Sequence, residues 1–111
     1  METITAKSYT LYSENGSWLG QVVLTSDGLF ASVTDYGNLS YAWRSFGTDF
    51  REFIISLNVG YFASKMYSGI TYICYGKKFE KSCELFAEMI LSPLQKILRE
   101  EIESEKQINS I

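Results

Sequence analysis

Residues 18–43, WLGQVVLTSDGLFASVTDYGNLSYAW, form three runs rich in β-branched and aromatic residues. Such runs are typical of strands. Glycine and asparagine favour tight turns because both tolerate a positive φ. With one turn further upstream, three turn signals divide the N-terminal part of the chain: Asn15-Gly16, Asp27-Gly28 and Asp35-Tyr36-Gly37-Asn38. Their regular spacing predicts a four-stranded antiparallel meander within residues 1–45, with residues 3–12 as an edge strand.

The second strand alternates between two sets of residues, which predicts opposite faces for Trp18, Gly20, Val22 and Leu24 and for Leu19, Gln21, Val23 and Thr25. A glycine inside a strand indicates a bulge or a close neighbour, and Trp43 is a candidate for that neighbour of Gly20. The Asn15-Gly16 pair suits a type I′ turn, in which both central residues have positive φ. We expect Trp18 or Trp43 to be buried between the sheet and the helices.

After residue 47 the hydrophobic period becomes that of a helix. Thr48 is a candidate N-cap, and apolar residues then recur at helical spacing: Phe50, Phe53, Ile54 and Leu57. Asn58 can interrupt and recap the chain, so residues 48–67 are predicted to be helical. Residues 70–75 fit either a short fifth strand or a packed loop.

Residues 77–106 are predicted to form a long C-terminal helix, because one apolar stripe runs through them: Phe79, Cys83, Phe86, Ala87, Ile90, Leu94, Ile97 and Leu98. Pro93 lies inside this stripe, where the helix either kinks or restarts from Ser92. The stripe keeps its register across the proline, which favours a kink near Pro93.

The two helical regions can cover one face of the meander, so we expect an α+β fold with residues 1–111 in a single domain. The stripe beyond Leu94 is long enough to outrun the sheet. The chain can therefore be either a monomer or a homodimer whose copies exchange a strand or a helix.

The composition excludes several classes of function. The chain has no histidine, which removes Ser-His-Asp and Cys-His triads and His-ligated zinc. Glycine-rich phosphate loops and hydrolase or metalloprotease motifs are absent from the sequence. Cys74 and Cys83 have no Cys-x-x-Cys spacing and are expected to be buried thiols. We therefore predict a non-enzymatic protein with no catalytic residues, no metal and no cofactor.

The N-terminus lacks the basic and apolar regions of a signal peptide, and apolar runs are too short to span a membrane. A soluble, cytoplasmic protein is expected.

Two surfaces are candidates for binding a partner. The net charge is −3, and residues 39–78 carry a net +3 between two blocks of −3 each. The basic block offers Arg44, Arg51 and Lys65 among aromatic residues, a pattern that can bind single-stranded nucleic acid or simply be a solvated rim. The other candidate lies on the C-terminal helix, where Glu80, Glu84 and Glu88 share one face. They form either an acidic ridge for a basic protein or an ordinary solvated face.

The overall acidity favours docking of a protein over binding of nucleic acid. The turn residues Asp35, Tyr36 and Asn38 can join either surface, because loop tips often carry recognition.

Three stretches resemble a family of small phage- and prophage-encoded proteins: residues 18–24 (WLGQVVL), 32–43 (SVTDYGNLSYAW) and 46–54 (FGTDFREFI). The shared order is a tryptophan-containing strand, a DYGN turn, an aromatic strand ending in tryptophan, and a G-x-D-F helix start. The resemblance spans roughly residues 17–66. It implies no catalytic residue. It implies a protein of the host cytoplasm that binds and inhibits a host protein, most simply a defence component, as anti-CRISPR and anti-restriction proteins do.

Overall fold

Four strands pair in chain order as an antiparallel sheet: β1 Ala6–Tyr12, β2 Trp18–Thr25, β3 Leu29–Thr34 and β4 Ser40–Ala42. Three helices follow: α1 Phe50–Ile55, α2 Val59–Ile70 and α3 Lys77–Asn109. The structure is a computed structural model that describes residues 3–70 and 75–109. The predicted α+β fold, a four-stranded meander followed by helices, is confirmed.

The segment predicted as a fifth strand or a loop falls mostly outside the described residues. Ile70 is the last residue of α2, and Tyr75 lies in no helix or strand. Residues 71–74, which include Cys74, are not described. Cys83 is buried, as predicted.

The first hairpin turn differs from the predicted type. Gly16 has a φ of +87°, but no described non-glycine residue has a positive φ, so Asn15 does not take the type I′ conformation. Ser13 N–H donates to the Ser17 carbonyl at 2.8 Å, and Gly16 N–H donates to the Ser13 carbonyl at 2.9 Å. The loop therefore has three residues between its closing pair. In such loops only the last residue needs a positive φ, which explains the difference.

A bulge at Leu19 overturns the predicted faces at the start of β2. Leu11 pairs with Gly20 and Tyr12 pairs with Trp18, so Leu19 has no residue opposite it. The extra residue shifts the alternation by one position. Leu19 is consequently buried, whereas Trp18 is 42% exposed.

Gly20 lies against β3 and not against Trp43, the neighbour that the sequence suggested. It pairs with Thr34, and a Cβ added at Gly20 would come within 2.5 Å of the Thr34 methyl carbon. Position 20 therefore needs a glycine because the Thr34 side chain fills the space beside it.

Asp49, rather than the predicted Thr48, caps α1. Its carboxylate accepts the backbone N–H of Arg51 at 2.9 Å. Aspartate and threonine are both good caps, so the sequence alone did not distinguish the two. Asn58 caps α2 as predicted, because its side-chain oxygen accepts the Tyr61 N–H at 2.8 Å.

Helix α3 runs without a break through Pro93, so the alternative of a restart at Ser92 is wrong. Leu91 and Leu94, on either side of the proline, are fully buried. Their packing holds the helix together although Pro93 has no N–H to donate. The predicted stripe faces the core except for Phe79, which is exposed.

The core lies between one face of the sheet and the helices, and a single hydrophobic cluster joins the sheet to all three helices. Trp43 is only 5% exposed, which confirms the expectation that one of the two tryptophans is buried. Leu94 and Leu98 are buried within the chain itself, so covering them does not require exchange with a second copy.

Candidate functional site

The exposed side of α3 carries the predicted glutamates. Glu80, Glu84 and Glu88 are all exposed, because Cys83 and the other stripe residues turn the opposite side of the helix to the core. Within the described residues, none of the three carboxylates forms an ion pair. Leu85 lies on the same helix surface, 48% exposed. We call Glu80, Glu84, Leu85 and Glu88 the α3 patch.

Lysines share this end of α3, which the count of glutamates alone does not reveal. Lys77, Lys78 and Lys81 are exposed and lie within one turn of Glu80, and Lys81 also lies within one turn of Glu84. The patch is therefore an apolar residue surrounded by both signs of charge, rather than a purely acidic ridge.

The carboxylates at the other end of α3 are bound within the chain by Arg51. Nη1 donates to Glu101 and Glu105, both at 2.7 Å. Nη2 donates to Asp49 at 2.9 Å and to Glu105 at 3.0 Å, and Nε donates to Asp49 at 3.2 Å. All five N–H groups of the guanidinium are thus satisfied. We call this group of four residues the Arg51 clamp.

Strand β1 contributes to the clamp through Glu101. Lys7 Nζ lies 2.6 Å from one carboxylate oxygen, and the Tyr9 hydroxyl donates to the other at 2.9 Å. The clamp therefore joins β1, the start of α1 and the end of α3. Neither Glu101 nor Glu105 was singled out from the sequence. The available signal was their position, since they continue the i, i+3/i+4 series of the buried residues Leu94 and Leu98.

The clamp shifts the pKa values of its members. A hydrogen bond from Arg51 lowers the pKa of Asp49 and likewise that of Glu105. Burial acts to raise the pKa of Glu101, but hydrogen bonds from Lys7, Arg51 and Tyr9 outweigh it and hold that pKa below its ordinary value. Burial and the neighbouring carboxylate of Glu101 raise the pKa of Tyr9. The carboxylates are thus held in their charged form.

The three predicted nucleic-acid contacts have different surroundings. Arg51 is saturated by carboxylates. Lys65 Nζ lies over the rings of Tyr41 and Tyr61, 5.6 and 5.4 Å from their centroids. Arg44 is exposed and borders a groove at the far end of β3 and β4.

The predicted turn residues are held by hydrogen bonds of the turn itself. The Asn38 side-chain oxygen accepts the Thr34 N–H at 3.2 Å. The Thr34 hydroxyl accepts the Tyr36 N–H at 2.9 Å and donates to the Gly37 carbonyl at 2.8 Å. Tyr36 also packs against the core. Asp35 and Asn38 are both exposed, but the side-chain oxygen of Asn38 is bound to the Thr34 N–H, so Asp35 is the one most available to a partner.

The sheet face opposite the helices was not identified from the sequence. We call it the outer face; strand alternation and pairing assign to it Ala6, Ser8, Thr10, Tyr12, Trp18, Gln21, Val23, Thr25, Leu29, Ala31, Val33, Ser40 and Ala42. In these described strands no outer-face position is charged. Tyr12, Trp18 and Val33 are exposed at the end where the first and third turns lie.

Two cavities open on the described surface. One, of about 410 Å³, lies beside the Arg51 clamp, between β1 and the end of α3. The other, about 350 Å³, is a groove at the second-turn end of the outer face, lined by Ile4, Thr25, Asp27, Leu29, Ala42 and Arg44. Within residues 3–70 and 75–109, no group of three or more Cys, Asp or Glu residues is placed to hold a metal ion. No helix in the described part of the chain is long and apolar enough to cross a membrane.

Residues 1–84 match the model of a family of phage proteins, Phage_phiTE_072. The match covers more than half of the chain, and the protein belongs to this phage family. It extends beyond residues 17–66, where the sequence resembles phage proteins, into the first turns of α3. No curated protein and no solved structure matches the chain.

Proposed function

We propose that this phage protein acts without catalysis, by binding a host protein at the α3 patch. The observation that carries the proposal is the row of three exposed glutamates on one face of α3, beside the exposed Leu85. At the C-terminal end of α3, Glu101 and Glu105 are paired with Arg51 and Lys7, and only Glu100 and Glu103 are exposed without an ion pair among the described residues. At the N-terminal end, the three glutamates of the patch have no ion-pair partner among the described residues, so their charges are available to another molecule.

The composition of the patch suits a protein partner with basic groups. Exposed leucine supplies apolar contact area, and the surrounding charges supply orientation and a faster association rate. A nucleic-acid partner is less well supported. Arg51 has no free donor, Lys65 lies over the rings of Tyr41 and Tyr61, and Arg44 borders the groove at the outer face.

Membership of a phage family makes a bacterial defence component the favoured target. Such components commonly bind nucleic acid through basic surfaces, and exposed carboxylates can occupy a surface of that kind. An inhibitor of the anti-CRISPR or anti-restriction type works by occupancy and needs no catalytic residue. The host cytoplasm is the compartment in which it would meet that target.

The test is capture from host lysate with a tagged chain, followed by identification of the captured protein. We expect the Glu80→Lys, Glu84→Lys, Glu88→Lys triple variant to lose capture. The matched control is Glu52→Lys, Glu100→Lys, Glu103→Lys, which changes net charge equally at exposed positions away from the patch. Equal capture by wild type and the patch variant would contradict the proposal. Capture that disappears after nuclease treatment would instead support nucleic-acid binding.

A further inference from the structure

The outer face is unusual for this chain because its strand positions are uncharged and no described helix packs on it. Charged residues make up 21% of the sequence, yet none occupies an outer-face position of the four described strands. An exposed sheet face normally carries polar and charged residues in alternation with the core. A face that lacks them, and that exposes aromatic residues, is typical of an interface.

The two ends of this face have complementary shapes. Tyr12 and Trp18, 56% and 42% exposed, project at one end. The groove of about 350 Å³ opens at the other end, where Ile4, Leu29 and Ala42 supply apolar walls. Trp18 and Thr25 mark the two ends along β2, about 23 Å apart at the usual rise of a strand.

The charges at the rim include one complementary pair, Asp35 and Arg44. The turns at the aromatic end carry Glu14 and Asp35, whereas Asp27 and Arg44 border the groove. Asp35 precedes β4 and Arg44 follows it, so both lie near the same edge of the sheet but at opposite ends.

We propose that a second copy of this chain docks on the outer face. Each of its strands runs antiparallel to the same strand of the first copy. A two-fold axis perpendicular to the strands then places Tyr12 and Trp18 of each copy over the groove of the other. The same rotation places Arg44 of one copy near Asp35 of the second. A two-fold axis parallel to the strands would instead place Tyr12 and Trp18 of both copies at the same end and would put Arg44 over the β1 edge of the second copy, away from Asp35. In the antiparallel dimer both ends of each outer face contact the other copy. The two-fold symmetry makes this a closed dimer that adds no further copies.

The size of the face predicts a weak dimer. Four strands of this length give a flat footprint of about 400 Å² per copy, from strand spacing and rise. The two copies together would bury about 800 Å², which is below the size of stable specific interfaces, so the association is weak and transient. The inference is independent of the proposed function, because the outer face and the α3 patch are different surfaces.

Sedimentation of the full chain from about 10 µM to about 1 mM tests the dimer. We expect a concentration-dependent dimer that Trp18→Ser weakens at least tenfold, whereas Leu85→Ser, a matched change of an exposed apolar residue on α3, leaves it unchanged. Asp35→Arg and Arg44→Asp should each weaken the dimer several-fold, and the double variant should restore it.

Three outcomes would overturn the proposal. One is a wild-type chain that stays monomeric throughout this range. Another is a dimer that Trp18→Ser does not weaken, which would place the interface elsewhere. The last is a double charge variant no better than either single one, which would rule out the antiparallel arrangement. A monomer whose Trp18→Ser variant loses capture of a host protein would assign the outer face to that protein instead.

Discussion

Trp43 connects β4 to the two short helices. Its ring centroid lies 5.9 and 5.7 Å from those of Phe50 and Phe53 in α1, and 6.5 Å from that of Phe62 in α2. Its indole N–H donates to the Tyr61 hydroxyl at 3.1 Å. One side chain therefore holds several aromatic rings in place, and it also satisfies its own polar group.

Trp43→Ala is expected to lower the free energy of unfolding by about 3–5 kcal/mol, as large truncations in a core do. Urea denaturation measures the change. The control is Trp18→Ala, which removes the same side chain from an exposed position and should cost under about 1 kcal/mol in the monomer. Equal losses in the two variants would contradict the packing described for Trp43.

At the scale of elements, the meander and the long helix could be predicted because their signals are local. Turn residues such as Gly28, and the spacing of the α3 stripe, depend on few neighbouring positions. Gly20 indicated either a bulge or a close neighbour, but the sequence alone did not place the bulge at Leu19, because its position depends on pairing with β1 across a hairpin. A one-residue shift of that kind changes the buried face without changing the sequence pattern.

The candidate surfaces were predictable only in part, for the same reason. The glutamates of the α3 patch could be found because they recur along one helix. The Arg51 clamp joins residues 50 or more positions apart, and no local pattern links them. The lack of charge on the outer face could be recognised only once the register of all four strands was known.

Replacing glycine with alanine is expected to have opposite effects on stability at Gly20 and at Gly60. Gly20→Ala should destabilise the fold by about 1–3 kcal/mol, because its Cβ would overlap the Thr34 side chain. Gly60→Ala should stabilise it by up to about 1 kcal/mol. Gly60 lies in α2 without a positive φ, and the nearest atom to an added Cβ is 3.5 Å away. Thermal unfolding measures both changes, and the same sign for both would contradict the model of strand packing at Gly20.

At the scale of the whole molecule, the clamp makes stability depend on pH. The pKa values of Asp49 and Glu101 lie below their ordinary values in the folded chain. Their contribution is therefore present above about pH 4.5 and is lost as the pH falls through the lowered values.

Glu101→Gln tests this dependence. We expect it to be less stable than wild type by about 1–3 kcal/mol at neutral pH, because Arg51 and Lys7 lose a charged partner. The difference should shrink as the pH falls through the lowered pKa of Glu101, because the wild-type carboxyl is then protonated too. Urea denaturation at several pH values measures it, with the exposed Glu103→Gln as control. A difference that stays constant with pH would show that charge at Glu101 is not what stabilises the clamp.

The clamp also bears on how long the folded chain persists. The contacts of Glu101 with Arg51, Tyr9 and Lys7 close loops of 50 to 94 residues, whereas each hairpin turn closes over three or four. Long loops cost more entropy to close, so we expect the hairpins to form early and the clamp to form after the folding barrier has been crossed. Weakening the clamp should then speed unfolding and leave the folding rate nearly unchanged. The clamp would thus slow the unfolding of a sheet that forms before it does.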